Sequence, residues 1–336
     1  MTKSTAFKLG LSICFLLTVA FAIIVYYTKD FSAGKNPTFG VTFSNLYAQE
    51  LGLDWQKTYL AILDELQVKN LRLVAYWSEV EPRQGEYDFS ALDWQIEQAA
   101  KRGVKIILAI GQRVPRWPEC HFPAWVSDLS ESERQQQLLE LLKTEVNHFK
   151  GQPTIVAWQV ENEPLLTLFS ACPKSSLNFL QLEAQAVREL DTRPIIISDS
   201  GELSGWLRVP QAADILGITT YRVVWHKNLG YVNYDFFYPA GYYYYKAKFI
   251  KWFFGLDDVI VTEFQAEPWG IQNKSLPEIE LSEQFKSVNP DNFPKFIAFA
   301  QKTGFDKIYL WGVEWWYWLK EQGNDSIWNQ AKELFK

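Results

Sequence analysis

The sequence predicts an α/β fold, a single (β/α)8 barrel of the TIM type, preceded by an N-terminal transmembrane helix. Three observations carry this reading. Eight short apolar runs of strand type recur from residue 37 onward, longer amphipathic segments alternate with them, and no Gly/Ser linker or composition shift breaks the series. An open doubly wound sheet is the rival. It would need a Gly-rich phosphate loop after its first strand, and Phe43-Ser44-Asn45-Leu46 is not one.

The first element is the uncharged apolar stretch 9–27, preceded by Lys3 and Lys8 and followed by Lys29 and Asp30. It is long enough to span a bilayer. A cleaved signal peptide would have a shorter apolar region and a small-x-small site, and Phe31-Ser32-Ala33 lacks the first small residue. An uncleaved signal anchor is therefore expected, with cleavage as the alternative. Cys14 follows Ile13, a context that does not suit lipidation. Because a long C-terminal domain translocates largely regardless of small charge biases, the barrel is expected outside the cytoplasm. The chain then divides into a tail (1–8), the anchor (9–27), a linker (28–36) and the barrel (37–336).

Strands are expected at 39–43, 71–76, 104–110, 154–160, 194–198, 215–220, 259–262 and 307–311, each a short apolar run of strand type, those at 154–160 and 259–262 rich in β-branched residues. Between them, Tyr59, Ile62, Leu63 and Leu66 recur at helical spacing over 55–68. Asp88 to Ser90 opens a helix that Gly103 ends, and a polar helix covers 131–149. Cys120 and Cys172 follow the third and fourth strands on neighbouring loops. A disulfide and two free buried thiols are both open readings.

With 48% hydrophobic and 21% charged residues, disorder is excluded as a main theme. A net charge of −6, without any Lys/Arg run, excludes nucleic acid as a partner. The histidines His121, His148 and His226 lack metal-ligand spacing, no Ser or Cys sits in a nucleophile elbow, and no cofactor is implied. Aromatics reach 16%, with 15 Trp, which suits both core filling and the stacking of sugar rings.

Two glutamates stand at strand ends, Glu163 in Val160-Glu161-Asn162-Glu163-Pro164 and Glu263 in Val261-Thr262-Glu263-Phe264. They are 100 positions apart, and a barrel of ~250 residues uses about 31 per βα unit, so three units separate them. That spacing assigns them to the fourth and seventh strands, on one face of the barrel. A retaining glycosidase needs such a pair, ~5–5.5 Å apart, one as proton donor and one as nucleophile. Glu163 is the expected acid/base, with Asn162 placed to bond a sugar 2-hydroxyl, and Glu263 the expected nucleophile. Glu161 shares the strand parity of Glu163, and Glu267 lies four positions beyond Glu263, so both compete for roles. Glu267 is read as a subsite residue or a solvated loop acid.

With Asn162-Glu163-Pro164, Thr262-Glu263-Phe264 and Trp311-Gly312 at these intervals, the chain after the anchor resembles clan A of the glycoside hydrolases. Trp77-Ser78-Glu79-Val80-Glu81-Pro82 resembles the second-strand exit of several of its families. The run 158–163 is similar to β-galactosidase-like members and Arg72 to cellulase-like ones. The resemblance implies that Arg72 and Tyr221 hydrogen-bond the nucleophile and keep it ionised; a buried ion pair and core packing are their structural alternatives. It implies a carbohydrate substrate and a retaining β-glycoside hydrolase, and with the barrel expected outside the cytoplasm the substrate is an extracytoplasmic oligo- or polysaccharide. A transglycosylase, or a non-catalytic carbohydrate-binding barrel with a splayed carboxylate pair, is the alternative.

Trp311, ending the eighth strand, is the expected sugar platform. Trp77, Trp117 and Trp269 are further candidates, whereas Trp315, Trp316 and Trp318 are assigned to packing. Gln112, Arg113 and Asn45 lie where they could meet hydroxyls. The stretch 231–254 interleaves Tyr, Phe and Trp with Lys246, Lys248 and Lys251. Helical spacing predicts a barrel helix with Tyr245, Phe249 and Trp252 toward the core, while the composition also suits a membrane interface.

Overall fold

Ile, Val and Leu crowd the eight apolar runs because strands of a closed parallel sheet are covered on both faces, by the barrel interior and by the outer helices. In the computed structural model, which describes residues 3–168, 172–271 and 274–336, those runs become β1 (Thr38–Thr42), β2 (Asn70–Val74), β3 (Lys105–Ile110), β4 (Ile155–Val160), β5 (Ile195–Asp199) and β6 (Ile215–Thr220). After them come β7 (Val223–His226), β8 (Gly230–Asn233), β9 (Asp258–Gln265) and β10 (Lys307–Trp311). Eight of these close a parallel barrel in the order β1-β10-β9-β6-β5-β4-β3-β2, and β7 with β8 forms a separate antiparallel hairpin. The eight expected barrel strands are all present.

Inside the barrel, Ile107, Ala157, Ile196, Ile215, Ile260 and Tyr309 make a compact apolar plug. The larger core joins the opposite strand faces to the helices. Those helices are α1 (Lys3–Thr28), α2 (Asn45–Glu50), α3 (Trp55–Asp64), α4 (Trp77–Val80), α5 (Ser90–Ala100), α6 (Glu131–Phe149), α7 (Leu177–Arg188) and α8 (Ala240–Phe254), with four more after β9. Local chemistry starts several of them. Asp54 accepts from the backbone of Gln56 and Lys57 to begin α3, and Ser130 with Glu133 forms a capping box at α6.

Two features depart from the sequence expectation. The β7–β8 hairpin was not foreseen, although Val223-Val224-Trp225 and Tyr231-Val232 flank a connection that ends at Gly230, whose φ of +71° suits glycine. In α8 the core face is Tyr243, Ala247 and Ile250, whereas Tyr245, Phe249 and Trp252 are exposed. The helix thus shows the barrel Tyr243 with the smaller Ala247 and Ile250 and turns Tyr245, Phe249 and Trp252 outward.

The segment Leu11–Thr28 of α1 is long and apolar enough to cross a membrane, and none of it is buried against the protein. Helix α1 takes in residues 3–8 of the expected tail, while residues 1 and 2 lie outside the described set. Its C-terminal end meets the barrel through Tyr27, whose ring lies 5.9 Å from that of Phe236. Just beyond it, Phe31 stacks on Tyr244 at 4.5 Å.

Candidate active site

Glu263 reaches the barrel interior through an irregularity in its strand. Along β9, Val261 pairs with Ile218 but Glu263 pairs with Thr219, so one extra residue at Thr262 reverses the side-chain alternation. A bulge of this kind re-aims a side chain without breaking the barrel. The strand also runs on past Glu263 to Gln265, so the carboxylate is mounted within a strand rather than after it.

Both oxygens of Glu263 are held. Arg72 Nη1 donates to Oε1 at 2.9 Å and Tyr221 Oη donates to Oε2 at 2.9 Å. Arg72 is itself fixed, donating through Nε to Gln159 Oε1 (2.6 Å) and through Nη2 to Asn162 Oδ1 (2.7 Å). Asn162 Oδ1 also accepts from Ser198 Oγ (2.8 Å) and Gln159 Nε2 (3.2 Å). With its oxygen so occupied, the Asn162 amide group is oriented with Nδ2 free to donate elsewhere.

On the facing strand end, Glu161 and Glu163 have φ of +62° and +48°. This left-handed backbone is uncommon for residues with side chains, and such positions gather where a functional group must be aimed. Here the two carboxylates diverge. Glu163 Oε1 accepts from Thr219 Oγ1 (2.9 Å), and its backbone N–H donates to Ser198 Oγ (3.0 Å). Burial, then the charge of Glu263, then that of Glu119, pushes the Glu163 carboxyl well above the usual range.

Glu161 does not share the cleft, despite its parity. Its oxygens accept from the backbone N–H groups of Gln112 (2.7 Å) and Arg113 (2.9 Å). Gly111, at φ +122°, leaves room for it, since a Cβ there would stand 2.3 Å from Glu161 Oε1. The side chain adjoins the buried carboxyls of Glu145 on α6 and Glu183 on α7, and its own is pushed up to about 7, chiefly by burial. The reversal of the chain at Asn162 separates it from Glu163.

Other expected contacts fall differently. Glu267 is neither exposed nor solvated: it is buried and paired with Arg116, which also bonds Glu314 Oε2 at 2.6 Å. Burial pushes the Glu267 carboxyl up to about 7, against the opposing pull of Arg116. The Arg116 guanidinium lies 4.0 Å from the ring centre of Trp311 and 3.8 Å from that of Tyr47. One face of the expected sugar platform is therefore already covered. Trp77 is fully buried, with its Nε1 donating to Glu81, and offers no face to a ligand.

Gln112 is buried, and its Oε1 has no partner among the described residues. Asn45 donates to Glu79 and Arg113 donates to Glu119. Trp269 packs edge-on against Tyr221 at 5.0 Å beside the site, and Trp117 is exposed. The loops after β3 and β4 are joined by a disulfide between Cys120 and Cys172, with Cα atoms 5.5 Å apart. No group of three or more possible metal ligands occurs among the described residues.

Gln159, Ser198, Thr219 and Arg116 were not foreseen in the sequence. The first three carry a usable signal, a polar residue near the C-terminal end of an otherwise apolar strand. Arg116 lies in an irregular loop and carries none.

A family model described as beta-galactosidase, of glycoside hydrolase family 42, matches residues 52–138. Beta-galactosidase BbgII of Bifidobacterium bifidum is 29% identical over 111 residues, which is 26% of this chain and 15% of that protein. This chain thus spans only a small part of the length of that relative. Among solved structures, the cold-adapted beta-galactosidase from Rahnella sp. R3 superposes with a TM-score of 0.59 at 12% identity, covering 92% of this chain and 56% of that one. A GH5_18 protein from Streptomyces cattleya, solved with GlcNAc, gives a TM-score of 0.57 at 12% identity over 82% of this chain and 70% of its own. The strand-end motifs, the family match over residues 52–138 and the shared barrel together support the likeness of this chain to clan A glycoside hydrolases.

Proposed function

We propose that this protein is a retaining β-glycoside hydrolase, anchored in a membrane by residues 9–27 with its barrel, 37–336, outside the cytoplasm. One observation carries the reading: Glu263 is gripped by Arg72 and Tyr221, while Glu163 beside it is buried with its carboxyl pushed toward the protonated form. A carboxylate held by Arg72 and Tyr221 suits a nucleophile, and a buried carboxyl pushed up suits a proton donor. That arrangement also disfavours a splayed, merely binding pair.

In the first step Glu163 gives its proton to the glycosidic oxygen as the C1–O bond breaks, and Glu263 bonds to C1 as a glycosyl ester. In the second, the Glu163 carboxylate takes a proton from water, the water oxygen bonds to C1, and the ester bond breaks to free Glu263. In this reading the Nδ2 of Asn162 donates to the sugar 2-hydroxyl, supported by the three hydrogen bonds that occupy its Oδ1.

The beta-galactosidase match makes β-galactosides the first sugars to test. A panel of aryl β-glycosides, with the product anomer followed by NMR, tests the assignment. Retention of the β configuration, and loss of turnover in Glu263→Gln, are expected. Inversion, or undiminished turnover in that variant, overturns it.

A further inference from the structure

We propose that the cavity beside Glu163 receives the apolar aglycone of a membrane-resident glycoside, so that the leaving group is the lipid part of a glycolipid. The proposal rests on Glu163 being the acid/base.

The cavity encloses about 260 Å³. Glu163 lies in its wall, whereas Glu263, Arg72 and Asn162 do not. An acid that protonates the glycosidic oxygen stands on the leaving-group side of the scissile bond. Although Tyr221, whose hydroxyl bonds Glu263, also lines it, the cavity is therefore assigned to the aglycone rather than to the sugar that is attacked. Its wall is dominated by Leu203, Val224, Trp225, Leu229, Val232 and Trp269, several of them supplied by the β7–β8 hairpin.

Polar wall groups are largely engaged elsewhere. Glu202 accepts from the Tyr221 N–H (2.9 Å) and the Tyr243 hydroxyl (2.5 Å), and Thr219 donates to Glu163. A second sugar ring would need several convergent hydrogen-bonding groups. This wall suits hydrocarbon better.

The rim points to where the hydrocarbon comes from. Leu229, at the hairpin tip, is 73% exposed, and Leu203 is exposed beside it. Tyr234 continues the wall, and two residues later Phe236 packs on Tyr27, near the C-terminal end of the apolar helix α1. Phe236 and Phe237 are exposed, as are Tyr245, Phe249, Trp252 and Phe253 along α8, with Trp252 at 77%. Aromatics with intervening Lys248 and Lys251 are the side chains that settle at a bilayer interface. An apolar strip thus runs from the end of a helix of bilayer length to the mouth of the cavity. Its continuity with that helix favours lipid over a protein partner as its cover.

The test uses the full chain in phosphatidylcholine vesicles, with methyl, butyl and octyl β-glycosides of whichever sugar the aryl panel selects. The ratio of kcat/KM for octyl over methyl is expected to be about tenfold or more, since each buried methylene adds to binding. Leu229→Asp combined with Val232→Asp is expected to bring that ratio near one, while Leu229→Phe keeps it, which separates lost apolar contact from misfolding. A hexadecyl β-glycoside is expected to turn over when it shares vesicles with the protein, and not when it is held in separate ones. A flat chain-length series with active aryl cleavage overturns the lipid pocket alone. Equal cleavage across separate vesicles overturns the membrane route. Failure to cleave any aryl glycoside instead overturns the hydrolase reading itself.

Discussion

Arg72 and Glu263 form a buried ion pair, 2.9 Å between Nη1 and Oε1, inside the barrel and from two strands that are not neighbours in it. Removing one member of such a pair leaves the other charged and without its partner, which costs about 3–5 kcal/mol. Arg72→Met is therefore expected to lower kcat/KM by about a hundredfold or more and to lower the thermal midpoint. Arg72→Lys is expected to recover little, because a point charge cannot reach Glu263, Gln159 and Asn162 together as the planar fork does. Steady-state kinetics and a melting curve for each variant check this.

With Glu163 as the proposed acid, its raised carboxyl is expected to set the alkaline side of the pH profile. A proton donor with a raised pKa is competent below that pKa and loses its proton as pH rises through it. Activity is thus expected to fall on the basic limb, and Glu163→Gln to remove that limb along with most turnover of poor leaving groups. Because the Glu263 charge is a cause of the shift, Glu263→Gln is expected to lower the Glu163 pKa, measured by carboxyl 13C NMR. An unchanged value would show that the two do not face each other.

Away from the cleft, Glu145 and Glu183 are fully buried without hydrogen-bond partners among the described residues, and burial pushes both carboxyls well up beside Glu161. Groups whose folded pKa is raised give stability that is complete below their unfolded pKa and is lost as pH rises through the folded one. For Glu161 that window runs from the unfolded value, about 4.3, up to about 7. Denaturant unfolding is expected to show lower stability at pH 8 than at pH 5. Glu145→Gln is expected to recover part of that difference.

The Cys120–Cys172 disulfide closes a loop of 52 positions and ties together the segments that carry Arg113, Arg116 and Glu163. Cross-links of this kind contribute about 2–4 kcal/mol, mainly by restricting the unfolded chain. Cys172→Ser is expected to lower the thermal midpoint by several degrees and to raise KM more than it lowers kcat. Non-reducing electrophoresis with and without dithiothreitol, followed by kinetics, provides the check.

Much of the barrel was legible because its signal is local. A strand covered on both faces is an apolar run wherever it occurs, so the ranges 215–220 and 307–311 were read at their observed limits. The hairpin of β7 and β8 was less legible. Its short runs lie beyond a completed strand, and its pairing rests partly on Gln265, which accepts from the backbone of Arg222 and Val223. The outward face of α8 was misread for a related reason: helical spacing shows that a stripe exists, but where two stripes are apolar it does not say which one meets the barrel.

By itself the sequence determined eight strands, an apolar N-terminal helix and two glutamates three βα units apart, since each depends on periodicity and spacing along the chain. Only the tertiary structure decided which carboxylates come together. Strand parity left Glu161 and Glu163 equivalent and would have turned Glu263 to the opposite face from Thr262. The left-handed residues around Asn162 sent Glu161 toward the outer helices, and the bulge at Thr262 brought Glu263 inward beside Arg72. Glu267 was likewise claimed by Arg116, from a loop more than a hundred residues away in the chain. These outcomes depend on pairings between distant segments, where the order of the residues carries no signal.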